Sequence, residues 1–405
     1  MQEHPTAVIF GAGSVGRGFL GQLFSESGYQ VVFADVDEAL IDALNRRGSY
    51  TLRLAGVQKT EDLAIGPVRA VDARNVEEVA AEVARASLMA TAVGARALAA
   101  IAAPIAAGLA QRWAERNQHT QGGEETPQNI ILAENLHEAP DVLRGYIMEG
   151  LPQALKPLLG ERVGFVASVI ARMSPVPTPE QRAADPTLIV AEPYKVLPVD
   201  RGAFAGPVPQ VVGMHAVSPF AAYTDRKLYI HNAGHAMLGY LGYRRGYQYG
   251  YEALADAKVY ALLSQALNES GRALTAEHHM DAVALSENVQ YLLDRFANRA
   301  LGDPISRLAR DPMRKLAPGD RLVGAARLAQ KHAIVPQGLA WGIAAGLAFD
   351  DADDPHAVEL QAIVKNEGFD KALEKVCGIR PDEPLAGLVR ESYRALQPGS
   401  PCAET

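Results

Sequence analysis

Three observations predict an α/β protein built as a Rossmann-type doubly wound N-terminal domain followed by a mainly α-helical C-terminal domain. An apolar run passes straight into a glycine-rich turn and a helix. A second apolar run ends on an acid. Farther along, the chain changes to almost unbroken helical periodicity. The first run is residues 7–11 (AVIFG), which reads as a buried parallel strand, and the helical pattern FLGQLFSESG that follows is stopped by Gly28. The second run is residues 31–34, ending at Asp35. The change comes near Phe204 and sets the expected boundaries: a dinucleotide-binding domain over 1–205, a helical substrate and catalytic domain over 206–397, and a disordered polar tail over 398–405.

The turn reads Gly11-Ala12-Gly13-Ser14-Val15-Gly16-Arg17. A G-x-G-x-x-G string alone is a weak signal; between a strand and a helix, with an acid ending the next strand, it is a dinucleotide fingerprint. Gly11 permits the tight turn, Gly13 lets the backbone approach a pyrophosphate, and Gly16 lets strand and helix pack closely. The amides of the helix start then face the phosphates. Asp35 can accept both ribose hydroxyls and repels a 2′-phosphate. No arginine stands in Val36-Asp37, so NAD is expected over NADP.

The α/β pattern continues. Residues 76–86 read as a helix with a charged face, and 87–94 as a strand whose small-residue turn, with Thr91 and Val93, lies at the cofactor. Residues 95–112 are alanine-rich and helical, with Pro104 expected to kink or divide them. Residues 117–128 read as a polar surface loop. Residues 129–133 (NIILA) form a strand that delivers Glu134 and Asn135 to its C-terminal end, where ligands bind in open α/β sheets. Asn135 is therefore a site candidate, or else a cap for the segment after it. A strand over 162–172 and a β extension over 188–192 and 194–199, broken at Pro193, complete the domain.

Past the proline- and glycine-punctuated stretch 206–213 the expected helices include 251–269, 281–296 and 339–347. Near their start is DRKLYIHNAGHAMLGYLG, residues 225–242, which is apolar enough to be buried yet carries Lys227, Asn232 and His235. On an α-helix advancing about 100° per residue, Lys227, His235 and Asn232 fall at about 0°, 80° and 140°, on one face. Three buried polar groups on one face need a polar partner. Behind a dinucleotide domain, that face suits alcohol oxidation: a base takes the hydroxyl proton while neutral donors hold the oxygen as charge develops. Lys227 is the candidate base if burial lowers its pKa from about 10.4. Asn232 and Asn135 are candidate oxyanion donors, and His235 orients the lysine or binds a substrate hydroxyl. The same segment read without function is a snorkelling lysine and a core histidine. A metal reading of His231 and His235, four apart, lacks the glutamate after the first histidine and a third ligand nearby.

Residues 307–321 (RLARDPMRKLAPGDR) gather Arg307, Arg310, Arg314, Lys315 and Arg321 in a chain of net charge -8. They could clamp a substrate phosphate, since guanidinium forks match phosphate oxygens. They could equally be a solvated face paired with Asp303, Asp311 and Asp320.

At 405 residues the chain has room for two cores, and 48% hydrophobic with 21% charged residues is ordinary for a globular protein. The negative balance argues against nucleic acid as a partner. Two cysteines, Cys377 and Cys402, exclude a disulfide framework and make a cytoplasmic location the expectation. No signal peptide and no membrane-spanning run of about 20 apolar residues is expected; the stretch 99–110 comes closest. A small-molecule substrate and a monomer or weak dimer are expected.

Taken together, FGAGSVGRGFLG, FADVD, AEN, RKLYIHNAGHAMLGYLG and RDPMRKLAPGDRL resemble the polyol-specific long-chain dehydrogenase/reductase family, that is, the mannitol dehydrogenase family, from about residue 6 to residue 396. The resemblance implies a zinc-independent oxidoreductase that interconverts polyols and ketoses. Its K-x4-N-x2-H motif falls on Lys227, Asn232 and His235 with the lysine as general acid/base, its strand-end asparagine on Asn135, and its arginine after the third glycine on Arg17. RKL-x3-DR is typical of phosphate-using members. The implied reaction is D-mannitol 1-phosphate with NAD⁺ to D-fructose 6-phosphate, with Arg314, Lys315 and Arg321 at the phosphate. Alternatives are a sister activity on an unphosphorylated polyol or hexuronate (mannitol 2-dehydrogenase or fructuronate/tagaturonate reductase type) or a non-catalytic NAD-binding regulator. The glycine loop departs from many relatives in carrying Ser14-Val15 where they have asparagine and isoleucine.

Overall fold

The structure, a computed structural model, describes residues 4–119, 126–136, 138–175 and 177–397. The chain divides into two compact units, Met1–Phe220 and Ala221–Thr405. The first contains the strands β1 (Thr6–Phe10), β2 (Gln30–Asp35), β3 (Tyr50–Ala55), β4 (Thr60–Ile65), β5 (Val68–Asp72), β6 (Leu88–Thr91), β7 (Gln128–Leu132), β8 (Val163–Ala167), β9 (Ile189–Ala191), β10 (Leu197–Asp200) and β11 (Met214–Val217).

Six of these form one all-parallel sheet in the order β5-β2-β1-β6-β7-β8. From β1 the chain builds outward through β2 to β5, then returns to β6 on the other side of β1. The winding direction therefore reverses between β1 and β6, and a crevice opens there beyond the C-terminal strand ends. The side-chain period of two sends Ala7 and Ile9 of β1 into one apolar cluster, with Phe19, Leu23 and Phe33. Val8 and Phe10 go into the other, with Val83, Leu98 and Ile105. Both faces being covered explains why the strands read as continuous apolar runs.

Three segments differ from the sequence expectations for this unit. The strand at 162–172 is only Val163–Ala167, because Arg162 ends the helix Lys156–Arg162. Pro104 does not divide its helix, which runs unbroken from Leu98 to His119. One missing amide is outweighed by the packing of Leu98, Ile101, Ile105, Leu109 and Trp113, each at most 5% exposed. The stretch Ala95–Glu115, which overlaps this helix and the short turn before it, is long and apolar enough to cross a membrane by length and composition, contrary to the expectation from sequence; here its apolar side lies in the core cluster beside the sheet. The polar loop over 117–128 is helical to His119 and enters β7 at Gln128, while 120–125 lie outside the described residues. The tail 398–405 also lies outside them.

A second sheet, β4-β3-β9, and the parallel pair β10-β11 complete the unit. Because β11 follows the proline-rich stretch and pairs with β10, the chain stays with the first unit up to Phe220.

Every named element of the second unit, among its described residues, is a helix. Its central helix, Ala233–Arg244, is buried along nearly its whole length. Gly239 lets it approach Leu308, whose carbonyl carbon would lie 2.6 Å from a Cβ at that position. The expected helix 251–269 is two helices, Gly250–Ala255 and Ala257–His278, because Asp256 turns the chain. Its carboxylate caps the second helix at the amides of Lys258 and Val259. Cys377 is fully buried, and burial pushes its thiol far above the ordinary range, so it is inert.

Candidate active site

In the first unit the glycine fingerprint has the geometry that its spacing demands. Gly11 sits at φ +93°, and a Cβ there would lie 2.5 Å from the Ala92 carbonyl oxygen. A Cβ on Gly16 would lie 1.9 Å from the Gly11 carbonyl oxygen. Gly13, by contrast, has nothing within 4 Å of its Cβ position, which leaves the loop open on the side where a pyrophosphate would approach. Ala12 is buried, while Ser14 and Val15 keep partial exposure on the same loop. The residues present thus fit a dinucleotide.

Asp35 ends β2 half-buried and already holds the loop. Its Oδ2 accepts from the Ala12 amide at 2.6 Å, and Oδ1 accepts from the Val36 and Asp37 amides at 2.7 and 3.1 Å. Arg17, expected at the cofactor, points inward instead. It is 7% exposed, and Nε and a terminal nitrogen donate to the Ala12 and Thr187 carbonyls, both at 2.5 Å. Desolvation lowers its pKa, as burial of a cation must. Its guanidinium braces the loop from beneath. Thr91 is fully buried at the end of β6, and Val93 follows in the turn. Asn135 is exposed just beyond the C-terminal end of β7.

Sequence reasoning passed over Glu134. It is 8% exposed and accepts from the Val93 and Gly94 amides at 3.0 and 2.8 Å. Burial, the largest cause, raises its pKa, while the Thr91 hydroxyl and the two amides act in the other direction. The available signal was an acid inside an otherwise apolar strand end.

In the second unit, Lys227, Asn232 and His235 occupy one continuous helical stretch, although not the α-helix expected. Lys227–Asn232 is a π-helix between the α-helices Ala221–Arg226 and Ala233–Arg244. The Ala233 amide accordingly reaches back five residues to the Leu228 carbonyl. The uniform 100° step does not apply across this turn. Lys227, His231, Asn232 and His235 each keep part of their surface accessible. The protein around Lys227 is nevertheless dense enough that desolvation, followed by the charge of Arg321, lowers its pKa to about 8. Burial likewise holds both histidines well below the ordinary range, aided for His231 by Arg295, Lys227, Arg321 and Arg307, and for His235 by His231, Arg307, Arg295 and Lys315. Both imidazoles are therefore neutral at pH 7.

Phe296, which the sequence did not single out, fixes the His235 ring by stacking on it at 4.3 Å and 27°. His231 meets the same two rings edge-on, at 4.7 Å from His235 and 5.9 Å from Phe296. Among the described residues, no group of three or more His, Cys, Asp or Glu is placed to hold a metal ion.

The structure separates the three basic residues assigned to a phosphate. Arg321 is nearly buried, its Nε donates to Asp320 Oδ1 at 2.6 Å, and its charge acts on Lys227 and His231. Arg314 is more than half exposed and pairs with Asp311 at 2.7 Å. Lys315, read as a phosphate ligand, is 5% exposed and its Nζ donates to the Leu308 carbonyl at 2.5 Å. Burial, with Arg321, Arg314 and Arg310 nearby, lowers its pKa to about 7. Lys315 is thus held inside this segment by a backbone carbonyl, in contrast to the exposed Arg314 beside it.

Comparison with known proteins identifies the family. A family model described as the mannitol dehydrogenase Rossmann domain matches residues 5–213, and one described as the mannitol dehydrogenase C-terminal domain matches residues 220–397. A mannitol-1-phosphate 5-dehydrogenase of Bacillus licheniformis is 38% identical over 390 residues, covering 96% of this chain and 100% of the relative. A protein of the same name from Brevibacillus brevis is 37% identical over 391 residues, covering 96% and 98%. Among solved structures, a D-sorbitol dehydrogenase in substrate-free form superposes with a TM-score of 0.78 at 17% identity, covering 97% of this chain and 92% of that one. Mannitol 2-dehydrogenase of Pseudomonas fluorescens, in ternary complex with NAD and D-mannitol, superposes with a TM-score of 0.70 at 17% identity, covering 98% and 92%. At that identity the two structures speak for the fold alone. The two family models and the curated relatives together span nearly the whole sequence, and the chain belongs to the mannitol dehydrogenase family.

Proposed function

We propose that this oxidoreductase interconverts D-mannitol 1-phosphate and D-fructose 6-phosphate with NAD, using Lys227 as general acid/base and no metal. The observation that carries the reading is the lysine itself: desolvation and the Arg321 charge bring its pKa to about 8, where it can both take and return a proton near neutrality. The names of the relatives supply the substrate. Gly11, Ala12, Gly13, Ser14, Val15 and Gly16 would hold the pyrophosphate, Asp35 the adenosine ribose, and Thr91 and Val93 the crevice wall. A nicotinamide cofactor held there would supply the hydride acceptor for the carbinol carbon.

The remaining chemistry falls to side chains. Lys227 takes the hydroxyl proton as the C–H bond breaks and returns it in the reverse reaction. Asn232 donates to the oxygen while it carries negative charge. Neutral His235, held by Phe296, offers a hydrogen bond to a neighbouring hydroxyl without adding a competing cation. Arg321, with Arg314 outside it, meets the phosphate.

The pH dependence follows from the lysine. Oxidation needs the free amine, so kcat/KM for the polyol phosphate is expected to rise as pH rises through about 8 and then level off. Reduction needs the ammonium, so kcat/KM for the ketose phosphate should fall over the same range. A flat profile in both directions between pH 6.5 and 9.5 would assign the proton to another group.

Substrate choice is tested by following NADH oxidation with fructose 6-phosphate against fructose, and with NADPH in place of NADH. Faster turnover of free fructose would replace this reading by the unphosphorylated sister activity. Arg321→Ala should raise KM for fructose 6-phosphate about tenfold or more, the scale of one charge-assisted contact, while the NADH dissociation constant stays put. An unchanged KM would remove Arg321 from the phosphate.

A further inference from the structure

Glu134 enters none of the steps above. It stands just past the end of β7, buried, with its two carboxylate oxygens on two successive amides, Val93 at 3.0 Å and Gly94 at 2.8 Å. Those amides belong to the turn that leaves β6, the neighbouring strand, where Gly94 takes φ +84°. The other side of that turn meets the glycine loop: a Cβ on Gly11 would lie 2.5 Å from the Ala92 carbonyl oxygen and 3.3 Å from Val93 Cγ1. The glycine loop and the β6 turn are thus the two walls of the crevice at the β1/β6 reversal. A bidentate, charge-assisted grip on two adjacent amides ties the β6 turn to the end of β7 and so holds that wall in place.

Two amide donors, one on each oxygen, favour the ionised carboxylate at this position. In a doubly wound sheet the two mononucleotide halves of the ligand lie over the two halves of the strand order. Asp35 at the end of β2 marks the adenosine half, so the β6-β7 side receives the nicotinamide half. The oxidised ring is cationic and the reduced ring is neutral. A carboxylate in a poorly solvated position interacts with the first far more strongly than with the second. We infer that Glu134 is a positioning residue that braces the β6 turn as a wall of the dinucleotide crevice and biases binding toward the oxidised cofactor. The inference rests on the NAD reading above.

Dissociation constants for NAD⁺ and NADH, measured by protein-fluorescence titration on the full chain, separate the brace from the charge. Glu134→Gln keeps the shape, removes the charge and leaves one good acceptor. It should weaken NAD⁺ by about tenfold and NADH by less than about threefold, so that the ratio of the two constants moves. Glu134→Asp keeps the charge on a shorter arm; it should weaken both and leave the ratio near that of the wild type. An equal loss for both cofactors in Glu134→Gln would overturn the charge role. Unchanged constants in Glu134→Asp would overturn the brace, and this variant decides alone if Glu134→Gln fails to fold. A wild-type chain that binds neither cofactor would strike at the NAD reading instead, which keeps the two failures apart.

Discussion

Lys227→Ala is expected to lower turnover in both directions by about a thousandfold near neutral pH while NADH binds as in the wild type, the scale of losing a positioned general acid/base. The basis is the desolvated site of the amine and the Arg321 charge that holds its pKa at about 8, where protonated and free forms coexist. Asn232 and the neutral His235 would remain in place, so what is lost is proton transfer. A KM for the sugar phosphate that changes little beside a collapsed kcat is the signature to look for. A variant that keeps a tenth of wild-type turnover would show that another group, or water, carries the proton.

Gly16→Ala is expected to lower unfolding free energy by about 3 kcal/mol and to abolish NADH binding, because the added carbon meets backbone that has no rotamer to yield. The Cβ would lie 1.9 Å from the Gly11 carbonyl oxygen, and Gly11 is itself pressed against the Ala92 carbonyl. Relief requires the glycine loop to move as a unit. Gly13→Ala is the internal contrast. With nothing within 4 Å of its Cβ position, it should fold as stably as the wild type and lose affinity only for the cofactor. Urea denaturation beside an NADH titration distinguishes the two. A Gly16→Ala chain as stable as the wild type would mean that the close approach of loop and helix is not a constraint.

Much of the first unit was legible because its signals are local. A strand, three glycines at fixed offsets and a terminal acid specify a turn whose geometry hardly depends on the rest of the chain. What the sequence concealed was direction and depth. Arg17 follows the third glycine and looks like a phosphate ligand, yet its guanidinium turns under the loop to the Ala12 and Thr187 carbonyls. Lys315 stands beside Arg314 in a charged string, but one is buried against Leu308 and the other exposed. Neighbours in a four-residue helix, Pro312–Lys315, point to different sides, and nothing in their residue types says which. Glu134 and Phe296 were missed because a buried acid and a ring stacked on a histidine take their meaning from tertiary partners. Asp256 was hidden inside a run of helical periodicity that the apolar residues sustain across the break.

The π-turn over Lys227–Asn232 has a consequence for heredity as much as for geometry. Closing backbone rings five residues apart accommodates one residue more than an α-helix would over the same stretch. Losing any one of these six residues would let the segment relax to an ordinary α-helix, at little cost to its own hydrogen bonding. Everything on the N-terminal side would then keep its angular place relative to His235, because the wide turn had absorbed one residue's step of about 100°. The wide turn thus carries one surplus residue while the helices on either side of it stay in phase. A single-residue deletion within this turn is therefore absorbed by the flanks, whereas one in either adjoining α-helix would turn the two sides about 100° out of phase.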